Sequence, residues 1–523
     1  MHVTRKSAFA MERTSRRQVA SATIQQHRSL PTVLARASAP AKQQQQQQQT
    51  QASKGTVRSG KAAGTTARGG NSTIAVRTPR TGTNSTARRN KGAEQEPATR
   101  KSGGSQFYFN LTGFPFPLGP FFSRKTVRIE VERDSMWVFE QTQALELFSV
   151  YTPVRMTVIK LASGGLWVHA PVAPTEECIR LLKELDAPVE YIVLPTFAYE
   201  HKVFVGPFSR RFPKAKVYVA PYQWSYPLNL PPQFFGIFPA GELTSGDPNV
   251  PWADEIEQKV FLPPSIGVGD YVRFSEVAFF HRRSRSLLLT DAVVYVPEDP
   301  PEVIPVDALL QNARDGLLAR SIAGGLPAEE VRRIAQPGPV EDSPEARRKG
   351  WQRMALLVLF FNPSNLLLPQ ESFSAISGRL MVGPVVQTLV YNKIPKSVVE
   401  WVEEMCTDWN FRQIIPCHFA APIRAGPADL RRAFTFAYDL AAAEGLLPTP
   451  PQQPPQQQEG LLPGFLSGLG GLLSAIGERL GGGGGGAAAW QPVVFPPADM
   501  RTLNSLNETL LSLGAVKRNA DAE

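Results

Sequence analysis

Leu194-Pro195-Thr196-Phe197-Ala198-Tyr199-Glu200-His201 decides the reading of this chain. The apolar run 191–194 stops at a proline, and an acid–histidine pair follows at 200 and 201. That is the layout of a β-strand delivering ligands at its C-terminal end, where open α/β sheets bind things. The chain has only six histidines. His2 and His27 lie in an N-terminal stretch of quite different composition. The other four, His169, His201, His281 and His418, each sit at or near the end of an apolar, strand-like run. Histidines so few and so placed point to a site rather than to scatter.

Outward from this segment the pattern alternates. Residues 155–161 and 166–169 read as strands around a Ser163-Gly164-Gly165 turn. Residues 175–185 read as a helix capped by Thr175, with Cys178, Leu181, Leu182 and Leu185 on one face. A helix over 203–212 and a strand over 216–220 follow. Residues 276–281 and 286–291 read as a hairpin around Arg282-Arg283-Ser284-Arg285. Between about 302 and 412 the spacing turns helical, through 306–322, 329–334, 351–361 and 397–408. A short strand over 414–416 ends just before His418, and 429–443 reads as a last helix. Strands that alternate with helices and then give way to a helical block make this an α/β protein.

Charge divides the chain. Residues 1–100 hold 18 Lys and Arg against three acids, Glu12, Glu94 and Glu96, a net of +15; the whole chain carries +10, so 101–523 carry −5. The pI near 9.5 therefore reflects the N-terminal stretch. A nucleic-acid partner needs a basic patch on the folded body, and none is expected. Residues 1–40 are rich in Arg, Ser, Thr and Ala with a single acid, the composition of an organelle transit peptide, with a processing region at Val33-Leu34-Ala35-Arg36-Ala37. A disordered basic tail has the same composition, and composition alone does not separate chloroplast from mitochondrion. Residues 41–104 and 448–490 hold a glutamine run, Pro-Gln repeats and six consecutive glycines. They cannot bury enough apolar surface to offset chain entropy, so disorder is expected there. The glycine-broken apolar stretch 461–480 reads as a floppy insertion or as a weak amphipathic helix touching a membrane surface. The folded body is placed at 105–447, with 491–523 returning to pack on it. Cys178, Cys406 and Cys417 form no C-x-x-C pair, which argues against a disulfide framework and for a reducing compartment. The longest apolar run, 354–361, is far too short to cross a bilayer and reads as a buried helix. There is no Walker A motif and no G-x-S-x-G elbow, and the hexaglycine follows no strand.

Four segments carry a resemblance: Gly164-Gly165-Leu166-Trp167-Val168-His169-Ala170-Pro171, residues 194–206, Phe280-His281-Arg282-Arg283-Ser284-Arg285, and residues 414–422. In them the chain resembles the metallo-β-lactamase fold superfamily and, more closely, a domain-of-unknown-function family of plants, algae and cyanobacteria related to it. The resemblance covers roughly 107–447 and 491–516. It implies an αββα sandwich, here with a helical insertion over 302–412, and the family's distribution implies a plastid, with stroma as the compartment. The superfamily signature is H-x-H-x-D-H after a strand, then a later His, an Asp at a strand end and a final His. Laid on this chain, Thr196 and Ala198 stand in the first two His places, Glu200 in the Asp place and His201 in the last. Asp291 matches the strand-ending Asp and His418 the final His. His281 is the candidate for the later His. Five positions of strand at ~3.3 Å each put it about 17 Å from Asp291, so it reads as a hairpin-tip residue.

The resemblance thus implies loss of the first metal position and retention of the second, with His201, Asp291 and His418 as ligands of one divalent ion. Two imidazoles with carboxylates suit zinc, iron or manganese. Glu200, one methylene longer than Asp, is either a fourth ligand or a base that orients water. His169 falls where an acid usually lies beneath the site and is a candidate neighbour of the ligands. Phe197, Tyr199, Tyr222, Trp224 and Tyr226 are candidate pocket walls. Each residue also has an ordinary reading: a helix N-terminal pair for Glu200 and His201, a turn cap for Asp291, a backbone-bonded histidine for His418, buried filler for Cys417 and a solvated edge for Arg282, Arg283 and Arg285. Two function classes stay open. One is a single-metal hydrolase of an ester, thioester or phosphate. The other is a pseudo-enzyme that keeps the scaffold to bind or assemble a small molecule or protein partner. An iron oxidoreductase is a weaker third.

Overall fold

The computed structural model describes residues 104–109, 118–120, 123–145, 150–223, 229–267, 273–446 and 493–521. The transit-peptide and low-complexity readings, and Trp224 and Tyr226, lie outside them.

Among the described residues fifteen strands and twelve α-helices follow in chain order. The first sheet takes β1 (Leu118–Gly119), β2 (Val127–Glu132), β3 (Met136–Leu145), β4 (Val150–Lys160), β5 (Leu166–His169), β6 (Val189–Leu194), β7 (Lys216–Val219) and β8 (Pro239–Glu242). Its order is β1-β3-β4-β5-β6-β7-β8, with β2 also on β3. β3, β4 and β5 pair antiparallel, and β5 through β8 are parallel. The second sheet is formed by β9 (Ile256–Phe261), β10 (Glu276–His281) and β11 (Ser286–Leu288). After the small pair β12 (Val294–Tyr295) and β13 (Leu380–Met381), β14 (Gln413–Ile415) and β15 (Ile423–Arg424) complete it in the order β15-β14-β11-β10-β9. β11 and β14 run parallel.

Two helices belong to the first half, α1 (Glu176–Lys183) and α2 (Tyr199–Ser209). The helical block holds α3 (Val306–Ala313), α4 (Leu317–Ser321), α5 (Ala328–Ile334), α6 (Pro344–Phe360), α7 (Gln370–Ile376), α8 (Pro384–Leu389) and α9 (Pro395–Asp408). Then come α10 (Pro427–Ala433), α11 (Thr435–Ala443) and, after the low-complexity stretch, the helix Arg501–Ser512, α12.

Side chains alternate across a strand, and that alternation sorts the layers. Trp167 and Val193 of the first sheet meet Val277, Phe279, Leu288 and Ile415 of the second in one buried core between the sheets. Their neighbours Leu166, Val168, Ile192 and Leu194 turn the other way, onto Cys178, Ile179 and Leu182 of α1 and Val205 and Phe208 of α2. On the opposite outer face Ala278, Phe280, Leu287 and Ile414 pack on Val398, Trp401, Val402 and Met405 of α9, Leu430 of α10 and Ala437 of α11. The result is the expected αββα sandwich. Strands buried on both faces read as continuous apolar runs, which is why β5, β6 and β10 stand out in the sequence.

The structure corrects several boundaries. α2 begins at Tyr199 rather than near 203, so Glu200 and His201 occupy its first turn. β11 stops at Leu288, short of Asp291. The last helix is two, broken at Phe434. β13 interrupts the helical block. Residues 127–145, to which the sequence assigns no element, hold two strands, and in β3 the buried Glu140 and Gln141 are paired. Gln141 Nε2 donates to Thr126 Oγ1 (3.0 Å) and Ala173 O (2.8 Å), and Arg155 Nε to Glu140 Oε1 (2.9 Å).

The helical block docks through a second core, in which Trp351, Met354 and Leu356 of α6 join Leu309 of α3, Val150 of β4, Phe419 and Leu503 of α12. α6 crosses α3 at Gly350, where an added Cβ would lie 2.0 Å from the Leu309 carbonyl oxygen. Gly350→Ala is therefore expected to force the helices apart and to destabilise the fold by about 1–3 kcal/mol, read as a lowered urea midpoint with unchanged slope. Among the described residues no helix is long and apolar enough to cross a membrane.

Candidate metal centre

Three strand ends and one helix start meet at one edge of the sandwich. β6 of the first sheet is stitched to β10 of the second: Val277 N–H donates to Pro195 O (2.7 Å) and Phe197 N–H to Ser275 O (3.2 Å). α2 starts directly after this junction. β11 and β14, parallel neighbours, end together. One leads into Thr290-Asp291 and the other into Cys417-His418, where His418 bridges Val154 of β4.

Donor atoms of Glu200, His201, Asp291 and His418 thereby lie within 4.8 Å of one another. Asp291 Oδ1 is 3.6 Å from His201 Nε2 and 3.2 Å from His418 Nε2. Donors sharing one ion at 2.0–2.2 Å sit roughly 3–3.5 Å apart, so the spacing fits a single ion. The His201 ring supplies a second test. It is fully buried, and among the described residues neither nitrogen has a hydrogen-bond partner. Leaving a buried polar group bare costs about 1–3 kcal/mol, and native interiors rarely tolerate it. Coordination through Nε2 would relieve that cost. His418 is poised in the same sense. Its Nδ1 lies 2.9 Å from Pro153 O, an atom that only accepts, so Nδ1 carries the proton and Nε2 faces Asp291. A backbone carbonyl that fixes the tautomer in this way is the usual support of a ligating histidine.

Two buried charged residues aim the ligands. The Glu276 carboxylate accepts from the backbone N–H of Thr290 (2.7 Å), Asp291 (3.3 Å) and Ala292 (3.4 Å), pinning the Asp291 turn. Arg155, paired with Glu140, donates to Pro416 O and Phe419 O on either side of the Cys417-His418 pair. Neither role was read from the sequence. The available signal was a charged residue inside or at the start of an otherwise apolar strand, which demands a partner.

The electrostatics follow from burial and pairing. Burial pulls the Asp291 carboxyl upward, but the facing imidazoles of His201 and His418, 3.6 and 3.2 Å away, outweigh it and hold the group well below the usual carboxylate range. Burial lowers His418, and its bond to Asp291 more than reverses this, so the imidazole holds a proton more tightly than usual. Glu276 is pushed up by burial and then by the charge of Asp291, against the pull of its three backbone donors.

The family model described as "Domain of unknown function (DUF4336)" matches residues 133–371 and 367–436. The chain belongs to this family. Solved structures similar to this DUF4336 chain include the metallo-beta-lactamase from Pontibacter korlensis, at 11% identity over 60% of this chain and 100% of that one, with TM-score 0.29. A putative diflavin flavoprotein A 5 fragment from Nostoc sp. PCC 7120 matches at 10% identity over 62% and 98%, with TM-score 0.34. The Flv1 flavodiiron core from Synechocystis sp. PCC6803 matches at 9% identity over 60% and 61%, with TM-score 0.34. A comparison with curated proteins gave no match. The layer order of the DUF4336 domain rests on its own strand pairings.

Of the sequence candidates, Glu200, His201, Asp291 and His418 are brought together, and Phe197 lines the adjoining cavity. His281 is the hairpin-tip residue expected from its distance to Asp291: it ends β10 opposite Ser286, buried, with Nδ1 2.7 Å from Ser284 Oγ, and lies in neither the cluster nor the cavity wall, so it is no pocket residue. Tyr199 is a correction. As the first residue of α2 it packs edge-on against Phe235 on the outer face, away from the cavity. Tyr222 lies against Arg273. His169 lies beneath His201 between Trp167 and Phe279, with Cys417 Sγ 4.0 Å from its Nδ1, and hydrogen-bonds none of the four donors. Cys417 is buried and outside the donor set.

His169 and His281 carry a pH signature. Burial, then the charge of His201, pushes His169 down to about 3, and burial, then Arg283, pushes His281 down to about 4. Both are neutral in the fold, whereas in the unfolded chain they titrate near 6.5. The unfolded state therefore takes up protons first. Stability present above about pH 6.5 is lost as pH falls toward 4, at up to roughly 1.4 kcal/mol per pH unit per histidine. Urea unfolding at pH 7.5, 6 and 5 should show this fall, and His169→Gln should flatten it.

Proposed function

We propose that this chain is a plastid single-metal hydrolase of an ester, thioester or phosphate, with His201, Asp291 and His418 holding one zinc, iron or manganese ion. The observation that carries the reading is the bare, buried His201 ring facing Asp291 and His418 beside a cavity. A divalent ion held there would acidify a water molecule and polarise a carbonyl or phosphoryl oxygen. Glu200 lies within reach of the same centre and on the cavity wall, placed to accept a proton from water and to orient it. Pro153 O keeps the second proton of His418 away from the centre. The Arg-, Ser-, Thr- and Ala-rich residues 1–40 support import into the organelle.

Thr196 and Ala198, where the superfamily signature has histidine, favour the second reading of a binding or assembly factor without chemistry. Metal analysis of the purified chain separates the two. About one ion per chain in the wild type, falling to background in His201→Ala, supports the hydrolase centre. Stoichiometry near zero in both overturns it and leaves the binding factor. A fluorescent fusion of residues 1–104 reaching any compartment other than the plastid would end the import proposal.

A further inference from the structure

A cavity of about 390 Å³ is lined at one end by Glu200, Asp291 and His418, within the range of small-molecule sites. Its polar side chains are Gln143, Thr152, Glu200, Asp291 and His418. The rest of its wall is apolar, with Phe197 and Phe274 on one side and residues of α6 and α8, among them Val358, Leu359 and Val385, on the other. Among the described residues no lysine or arginine lines it. Beyond the donor end, where the ion would be held, a phosphate or free carboxylate on the substrate would meet no lysine or arginine and would be desolvated against valine and phenylalanine. An alkyl or aryl chain placed there gains burial on every side.

We infer, on the basis of the hydrolase reading, that the substrate is an uncharged ester or thioester whose acyl group is apolar and lies between α6, α8 and β4. The reacting carbonyl sits at the donor end of the cavity. The oxygen of water bonds to the acyl carbon while its proton goes to Glu200. The C–O or C–S bond breaks, and the departing alkoxide or thiolate takes that proton and leaves as alcohol or thiol.

The test uses the full chain loaded in turn with zinc, iron(II) and manganese. Turnover is measured on p-nitrophenyl acetate, hexanoate and decanoate and on bis-p-nitrophenyl phosphate. Separately, calorimetry follows binding of 2-butanone and 2-undecanone, uncharged carbonyl compounds that differ only in chain length. The proposal expects kcat/KM to rise at least tenfold from acetate to decanoate, with the phosphodiester the poorest substrate, and 2-undecanone to bind at least tenfold more tightly than 2-butanone. Val385→Trp, which fills the cavity from a half-buried position, should abolish both trends while the bound metal, read by metal analysis, is retained. Val358→Lys, which brings in a cation, should do the same should the first variant fail to fold. Preference for the phosphodiester, or esterase activity indifferent to chain length, overturns the inference and leaves the hydrolase reading intact. Chain-dependent ketone binding with no turnover of any substrate supports the apolar ligand and sinks the hydrolase. Absence of ketone binding overturns the inference whatever the turnover.

Discussion

Asp291→Ala is expected to lose roughly a hundredfold or more in metal affinity and, with the ion, all measurable hydrolysis. The expected loss exceeds the ten- to hundredfold typical of residues that only support ligands, because Asp291 faces both imidazoles directly. Its removal leaves a buried and a half-buried histidine with nothing between them. Glu200→Gln should behave differently. A general base contributes about 10²–10⁴ in rate, and the amide keeps the size of the side chain. This variant should keep its ion, with affinity within about threefold of wild type, while kcat falls by that factor. Metal titration and turnover measured on both variants therefore separate ligand from base. Equal metal loss in the two would make Glu200 a fourth ligand. Full activity in Glu200→Gln would remove it from the chemistry.

The largest stability effect is expected at Arg155. Its guanidinium is fully buried, paired to Glu140 and donating to Pro416 O and Phe419 O. Arg155→Met strands the Glu140 charge and two carbonyls in the interior. Breaking one side of such a pair costs about 3–5 kcal/mol, or on the order of 10 °C in melting temperature for a domain of this size. The double variant Arg155→Met/Glu140→Met should recover a substantial part, because no uncompensated charge remains. Metal affinity should not recover with it, since the Pro416–Phe419 segment that carries His418 has lost its anchor. If stability and metal affinity return together in the double variant, Arg155 serves the core alone.

What the sequence made legible was local. Strand ends at Leu194, Ile415 and near Asp291 could be read because each closes an apolar run buried on both faces, and the candidate donors follow those ends within a few residues. The hairpin register was legible for the same reason. Continuing the pairing of Phe279 with Leu288 sets Glu276 opposite Asp291. What remained hidden depended on partners distant in the chain. β3 is hidden because the run Glu140, Gln141, Thr142 and Gln143 looks solvent-facing until Arg155 is known to meet Glu140 and Thr126 and Ala173 to meet Gln141. Tyr199 was taken for a pocket wall because the start of α2 was placed four residues late. Ahead of the helix its side chain could turn toward the cavity; as the first residue of α2 it is held against Phe235. The apolar wall from α6 and α8 lies some 160–190 residues from Glu200, and no spacing rule connects them.

The central claim is that one ion sits between His201, Asp291 and His418. Anomalous diffraction at the absorption edge of the bound metal, on crystals of the wild-type chain, tests it most directly. The account predicts a single peak at full occupancy, within about 2.3 Å of His201 Nε2, Asp291 Oδ1 and His418 Nε2. A peak on some other set of side chains, a second ion beside Thr196 and Ala198, or no peak with His201 capped by ordered water would contradict it.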